Sequence, residues 1–282
     1  MAQYVIDIKF IPKIIDFVDV DSDKWIQYAK YSRFLASFVY QLEGRRLKEY
    51  EMVCGERFDH CIITTQYEKD LLLSSIPEGK ISVISSGVDS EYFKPLSGDY
   101  EPNTIIFTGV MNYLPNIDGM IYFNNEIFPL IIKEIPDAKL YIVGSNPCKE
   151  IKKLGYKKNV IVTGYVDDIR SYIGKSAVCV VPLRIARGIQ NKILEAMAMG
   201  IPVVTTSRCF KGINITPGED IIVADNCEEF AKKIIALLQN KEIRNTISHN
   251  SRRVIEERYN WDINLKGLDE IVERLKIKRL KD

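Results

Sequence analysis

Histidine is almost missing from this 282-residue chain: there are two, His60 and His249, far apart. Six cysteines occur at positions 54, 61, 148, 179, 209 and 227, but none forms a CxxC pair. These gaps argue against a structural zinc site, whose ligands come in closely spaced pairs. No concentrated acidic ligand set appears either, so no metal is expected. Cys61 and Cys179 lie in apolar runs and read as small buried hydrophobes, which fits a reducing cytoplasm. The chain has no run of about 18 or more apolar residues to make a spanning helix. Nor does a basic stretch precede an apolar one near Met1, as a signal peptide requires. A surplus of one charge is absent as well. Lys and Arg number 39 against 38 Asp and Glu, which leaves no general attraction for nucleic acid. The clearest local exception is the basic end at residues 276–281.

What remains is the composition of an ordinary globular protein, long enough for two domains. Residues 14–18 read as a short inner strand entering the acidic turn at 19–23, where Ser22 or Asp23 is expected to cap a helix. An interrupted helical region then runs to about Glu56. Strands follow at 58–64 and 81–84, with a helix over 66–74 between them. Only three strands are visible before Pro95, fewer than parallel sheets usually contain. The expectation is that N-terminal sequence is missing. Residues 95–102 have linker composition.

Beyond the linker, short strands at 104–107, 139–143, 160–163, 177–181 and 201–205 alternate with helical stretches at about 115–126 and 189–199. This is an α/β pattern with a mostly parallel sheet covered on both faces. Such sheets bind ligands beyond the carboxyl ends of their strands, which directs attention to the loops at 109–116, 144–147 and 182–192. Helices at 228–238, 242–259 and 261–280 complete the chain. In the last, Trp261, Leu265, Leu268, Val272 and Leu275 form an apolar stripe expected to pack within the protein.

The segment 182–204 carries the most chemistry. A buried strand ends at Pro182 and a helix is expected to begin near Gly188, offering unpaired amide hydrogens to phosphate. Gly188 permits close ligand approach. Arg184, Arg187 and Lys192 gather three cations around the same turn. Glu195 follows one turn beyond Gln190 and Asn191, placed to accept hydrogen bonds from vicinal hydroxyls. A second segment, 107–119, reads as a strand, a turn at Gly109 and a proline-started helix, with Asn112 and Asn116 as polar groups at the sheet edge.

Residues 186–204, ARGIQNKILEAMAMGIPVV, resemble the donor signature of the retaining GT-B glycosyltransferases of the glycosyltransferase 4 family. The similarity is greatest to a bacterial branch associated with exopolysaccharide and exosortase systems. Residues 107–119, Val143-Gly144 and 163–169 also look like the family, 86–89 with 93–95 resemble the end of its first domain, and 16–22 look like that branch. The resemblance implies a GT-B architecture of two Rossmann-like domains, the first incomplete over 1–97 and the donor-binding second over 98–260. A helix over 261–282 would pack back toward the first. It further implies that Glu195 binds a nucleotide ribose, with Gly188, Ile189, Gln190, Asn191 and Lys192 around a diphosphate and sugar. Gly109, Met111, Asn112, Asn116 and Gly144 would border the donor cleft, and Tyr165 the base. Arg184 joins the donor set, while Arg187 and Lys192 would stabilise the leaving diphosphate.

The function so implied is sugar transfer, with retention, from a UDP- or GDP-linked donor to a glycan or lipid-linked acceptor, without cofactor. The place implied is the cytoplasm, with peripheral contact at the inner membrane face. Where many relatives have a first glutamate eight residues before the second, this chain has Arg187. The family's first glycine-rich loop and its histidine-bearing acceptor segment would precede Met1, so the chain is expected to be a fragment with little complete activity. A non-catalytic nucleotide-sugar-binding module and a nucleotide-sugar epimerase are the alternatives.

Overall fold

The computed structural model describes residues 1–279 apart from 33, 99 and 211, with the side chains of 278 and 279 also left undescribed. Two parallel sheets organise the chain. The first has the order β1-β2-β3, from Ile14–Asp16, His60–Ile63 and Ile81–Val83. Its core is small: Val20, Cys61, Ile63, Leu72, Ile76 and Ile81. Strand β1 is shorter than the sequence pattern suggests, because Val18 adopts φ 61 and turns the chain out of the sheet.

Helices α1 (Asp21–Lys30) and α2 (Phe34–Arg57) form a hairpin beside this sheet, and α3 (Gln66–Leu72) lies between β2 and β3 in the chain. Trp25, Tyr28 and Tyr40 make mutual ring contacts between the two arms of the hairpin. The expected cap at Ser22 or Asp23 does not form. The N-cap is Val20, and Ser22 is buried inside the helix with its amide and hydroxyl both bonded to Glu51, at 2.9 and 2.6 Å. A buried partner outcompetes the local cap.

The second sheet has the order β6-β5-β4-β7-β8-β9, every neighbouring pair parallel. Its strands are β4 (Thr104–Thr108), β5 (Lys139–Val143), β6 (Val160–Gly164), β7 (Val178–Val181), β8 (Val203–Thr205) and β9 (Ile222–Val223). The central strands β4 and β7 are buried along their whole lengths, which is why they read as unbroken apolar runs. Each such aliphatic or aromatic side chain removed from water contributes roughly 1.5–3 kcal/mol.

Around this sheet lie α4 (Leu114–Tyr122), α5 (Phe128–Glu134), α6 (Lys149–Leu154), α7 (Arg170–Ile173), α8 (Asn191–Ala198) and α9 (Ser207–Phe210). A π-helical segment, Phe123–Ile127, joins α4 to α5, so the helix runs beyond the expected end at 126. The sequence pattern gives no sign of α5, α6, α7, α9 or β9, all seven residues or shorter.

The chain closes with α10 (Cys227–Gln239), α11 (Lys241–Arg258), α12 (Trp261–Asn264) and α13 (Lys266–Arg279). The expected single stripe over 261–280 is broken at Leu265. Trp261 and Leu265 stay 43% and 41% exposed, whereas Ile271, outside that stripe, is buried. This end returns to the first sheet: Asn264 Nδ2 donates to Ser86 O at 3.2 Å, and Arg274 Nη2 lies 3.3 Å from His60 Nδ1. His60 also contacts Ser82 Oγ at 2.9 Å, which makes it a buried structural residue. Leu280 and Lys281, the rest of the expected basic end, lie outside the described residues.

Strand order reverses at β4, whose two neighbours β5 and β7 are reached in opposite directions, and this opens a crevice at the carboxyl ends. Two glycine turns line it. Gly109 and Gly144, with φ 155 and 149, pack so closely that a Cβ on residue 144 would lie 1.7 Å from the Gly109 carbonyl oxygen. Gly144→Ala is therefore expected to lower unfolding free energy by at least about 3 kcal/mol, combining steric and left-handed backbone cost. Urea denaturation against Gly79→Ala, a site with open space and no positive φ, measures the difference.

Candidate functional site

The crevice holds a cavity of about 420 Å3, lined by Thr108, Gly109, Val110, Gly144, Ser145, Tyr165, Val166, Ile169, Ile189, Gln190, Asn191, Lys192 and Glu195. That size and position suit a small-molecule site. Lys192 dominates its electrostatics. The ammonium donates to Asn116 Oδ1 at 2.7 Å and lies 4.6 Å from the Phe107 ring centre. Asn116 is fixed in turn by donating from Nδ2 to Val110 O at 2.9 Å. Burial pushes the ammonium down to about 8, against the opposing influence of Cys209, Cys179 and Glu195. The site thus contains one preorganised cation next to the glycine turns.

Glu195 lies one turn further along α8. Burial raises its carboxyl above the ordinary value, and the Lys192 charge opposes the rise. Helix α8 starts at Asn191, three residues later than the sequence suggests. Gln190 is its N-cap without a side-chain cap bond, because its amide turns back to Arg187 O at 2.9 Å. Gly188, at φ 59, belongs to the loop before the helix. Asn191 and Lys192, the first residues of α8, line the cavity with Ile189 and Gln190, so the helix N-terminus lies at the cavity three residues later than expected.

The other expected residues divide. Gly109, Gly144, Tyr165, Ile189, Gln190, Asn191, Lys192 and Glu195 share the cavity wall. Asn116 meets it through Lys192. Met111 is fully buried and packs in the core, while Asn112 is exposed and does not line the cavity. Arg184 turns away to pair with Asp118, at 3.0 and 2.5 Å, and covers the Tyr122 ring. Arg187 and Gly188 face a separate, smaller cleft toward the first sheet, with Gln27, Thr65, Tyr67, Glu68 and Arg208. There Arg187 pairs with Asp23.

The sequence pattern does not single out Asp23, Asp19 and Glu68 as partners of the 182–192 loop. The acidic turn is visible in it, but the proximity of that turn to Arg187 is a tertiary fact. Glu68 carries no signal of its own within a short helix. Burial, then the charge of Asp19, pushes the Glu68 carboxyl up to about 7 although it accepts bonds from Val20 and Thr64 and the Gly188 amide favours its ionised form.

Residues 102–240 match the family described as Glycosyl transferases group 1. The chain is 29% identical over 175 residues to an uncharacterized 44.6 kDa protein in the cps region of Klebsiella pneumoniae, covering 59% of this chain and 45% of that protein. It is 26% identical over 200 residues to the UDP-Gal:alpha-D-GlcNAc-diphosphoundecaprenol alpha-1,3-galactosyltransferase of Escherichia coli, covering 64% and 51%. Among solved structures, Anabaena Alr3699/HepE in complex with UDP and glucose superposes with a TM-score of 0.72 at 14% identity, over 93% of this chain and 71% of that one.

The chain has the GT-B fold, and its residues 102–240 are similar to the group 1 glycosyl transferases. It spans about half the length of the two curated relatives. In GT-B terms, the sheet β4–β9 carries the 420 Å3 cavity, and the smaller sheet β1–β3 presents its acidic turn to the same loop.

The Lys192 charge sets a pH dependence for this GT-B site. A lysine shifted down is a cation below its folded value and neutral above it. Affinity for a diphosphate at this site is expected to hold up to about pH 8 and to fall about tenfold for each further unit. Calorimetric titration across pH 7–9 measures this, and Lys192→Arg is expected to flatten the profile.

Proposed function

We propose that the chain binds a nucleoside diphosphate sugar in the cavity below β4 and β7, and that it belongs to an enzyme transferring the sugar with retention. The observation that carries this reading is the pairing of a preorganised ammonium, Lys192, with a carboxylate one helical turn away, Glu195, on one cavity wall. A ribose has vicinal hydroxyls for the carboxylate to accept from, and a diphosphate needs the cation. The nucleotide lies over Gly144 and Tyr165, its ribose on Glu195, and its phosphates between Gly109, Lys192 and the amides entering α8.

As the bond from the sugar to phosphate breaks, negative charge grows on the departing diphosphate. Lys192 stabilises that charge more strongly than it does the intact donor, which lowers the barrier. Arg187 contributes once it is free of Asp23. The acceptor hydroxyl attacks from the face the phosphate leaves, and the phosphate takes its proton, so configuration is retained. Arg184 acts elsewhere, tying α4 to the 182–192 loop through Asp118.

We assign the acceptor to a glycan or lipid-linked sugar of an exopolysaccharide system, on the cytoplasmic side of the membrane. The E. coli relative, whose name records a diphosphoundecaprenol acceptor, supports that class. So does one face of α2. Phe34, Leu35, Phe38 and Val39 are between 52% and 87% exposed there, with Arg45 and Arg46 following along the helix. Such a face suits peripheral contact with an anionic membrane. Among the described residues, no helix is long and apolar enough to cross one.

Calorimetry with UDP-, GDP- and ADP-sugars tests the reading. Binding with turnover supports the transferase, binding without turnover a nucleotide-sugar-binding module, and interconversion of free donors an epimerase. Lys192→Ala is expected to weaken nucleoside diphosphate binding about 30-fold or more, and nucleoside binding by less than about threefold, since a charged hydrogen bond contributes about 2 kcal/mol. Glu195→Gln is expected to weaken nucleoside and diphosphate alike. Equal losses for both ligands in Lys192→Ala exclude the phosphate role.

A further inference from the structure

The loop before α8 is engaged on its other side by three carboxylates of the first unit. Asp23 pairs with Arg187 and also accepts from Gln27 Nε2 at 3.0 Å. Asp19 Oδ1 sits where a Cβ on residue 188 would lie, so only glycine fits beneath it. Glu68 lines the small cleft with Gly188, and the Gly188 amide favours its ionised carboxylate. An acidic arm thus grips a cation and a glycine that precede Lys192 by only five and four residues.

Two observations bear on what this grip does to the guanidinium and to the space beside it. Arg187 Nε is buried with no hydrogen-bond partner among the described residues, and its side chain is only 11% exposed. An unmet buried donor on a charged group is costly unless something else satisfies it. The cleft beside it, between Glu68, Gly188 and Arg208, has a volume of about 30 Å3. That admits a water and not a hexose. A donor in the neighbouring cavity therefore has no room for its sugar on this side while Asp23 holds Arg187.

We propose that Asp23 is a latch: it occupies Arg187 in the donor-free chain and competes with the donor's diphosphate for that guanidinium. Donor binding exchanges one anion for another, satisfies Arg187 Nε, and loosens the first unit from the loop. Asp19 and Glu68 add to the hold by packing on Gly188. Asp23 is a positioning residue in this scheme, because it acts through Arg187 and never touches the reacting atoms. The inference rests on the diphosphate reading above.

The test is calorimetry of the full chain with UDP, GDP and ADP in parallel. Asp23→Asn is expected to bind whichever diphosphate the wild type binds about five- to tenfold more tightly, the scale of a modest coupling between sites. Asp23→Glu is expected to return to within about twofold of wild type by restoring the carboxylate. In an Arg187→Ala background the gain from Asp23→Asn is expected to vanish. Unfolding midpoints are recorded alongside; if Asp23→Asn loses cooperative unfolding, Asp19→Asn replaces it with the same expected direction. Unchanged or weaker affinity in the folded variant, with wild-type binding still abolished by Lys192→Ala, overturns the latch alone. No binding of any diphosphate to wild type overturns both the latch and the reading on which it rests.

Discussion

A single ammonium group, buried where the strand order of the larger sheet reverses, governs this structure. Lys192 could not remain there unsupported, since an unpaired charge out of water is expensive. Asn116 gives it an acceptor at 2.7 Å and Phe107 gives it an aromatic face. Each supporting group is fixed in turn. Phe107 is held in the fully buried strand β4, and Asn116 by its bond to Val110 O. The turn at Gly109 lets the backbone pass close to the cation, since a Cβ there would lie 3.2 Å from Lys192 Nζ and 2.8 Å from Asn116 Nδ2.

The same loop faces two ways. Toward the larger sheet it presents Ile189, Gln190, Asn191 and Lys192 to an open cavity. Toward the smaller sheet it presents Arg187 and Gly188 to carboxylates. Opposite charges across the boundary between the sheets draw the units together, Arg187 meeting Asp23. Such an interface can change when another anion arrives, whereas a packed core could not. The hairpin α1–α2 contributes as well, through Tyr28 and Tyr113, whose hydroxyl oxygens are 3.2 Å apart.

Much of the architecture is legible in the sequence because its signals are local. The short apolar runs of β4 and β7, bounded by turn residues, fit strands covered on both faces, and Gly109, Gly144 and Gly164 mark where strands turn at the crevice. The start of α8 is not legible in the same way. Gly188 looks like a helix entrance, and nothing local reveals that the Gln190 amide turns back to Arg187 O instead. Ser22 misleads for a related reason. A serine before an apolar run usually caps a helix, but Glu51, 29 residues away, claims it. Short elements such as α6 and α7 escape because four to six residues hold too little of any period to be recognised.

By itself the sequence determined the parallel α/β character, the loops that meet at the crevice, and the presence of Lys192 and Glu195 one turn apart on α8. Those features depend on spacing along the chain, which periodicity and glycine positions record directly. Only the tertiary structure decided which cations face the cavity. Arg184, Arg187 and Lys192 are chemically similar and close in sequence, yet Asp118 takes the first, Asp23 the second, and Asn116 supports the third. The choice among them was made by partners 66, 164 and 76 residues away, and a one-dimensional pattern does not contain that distance information.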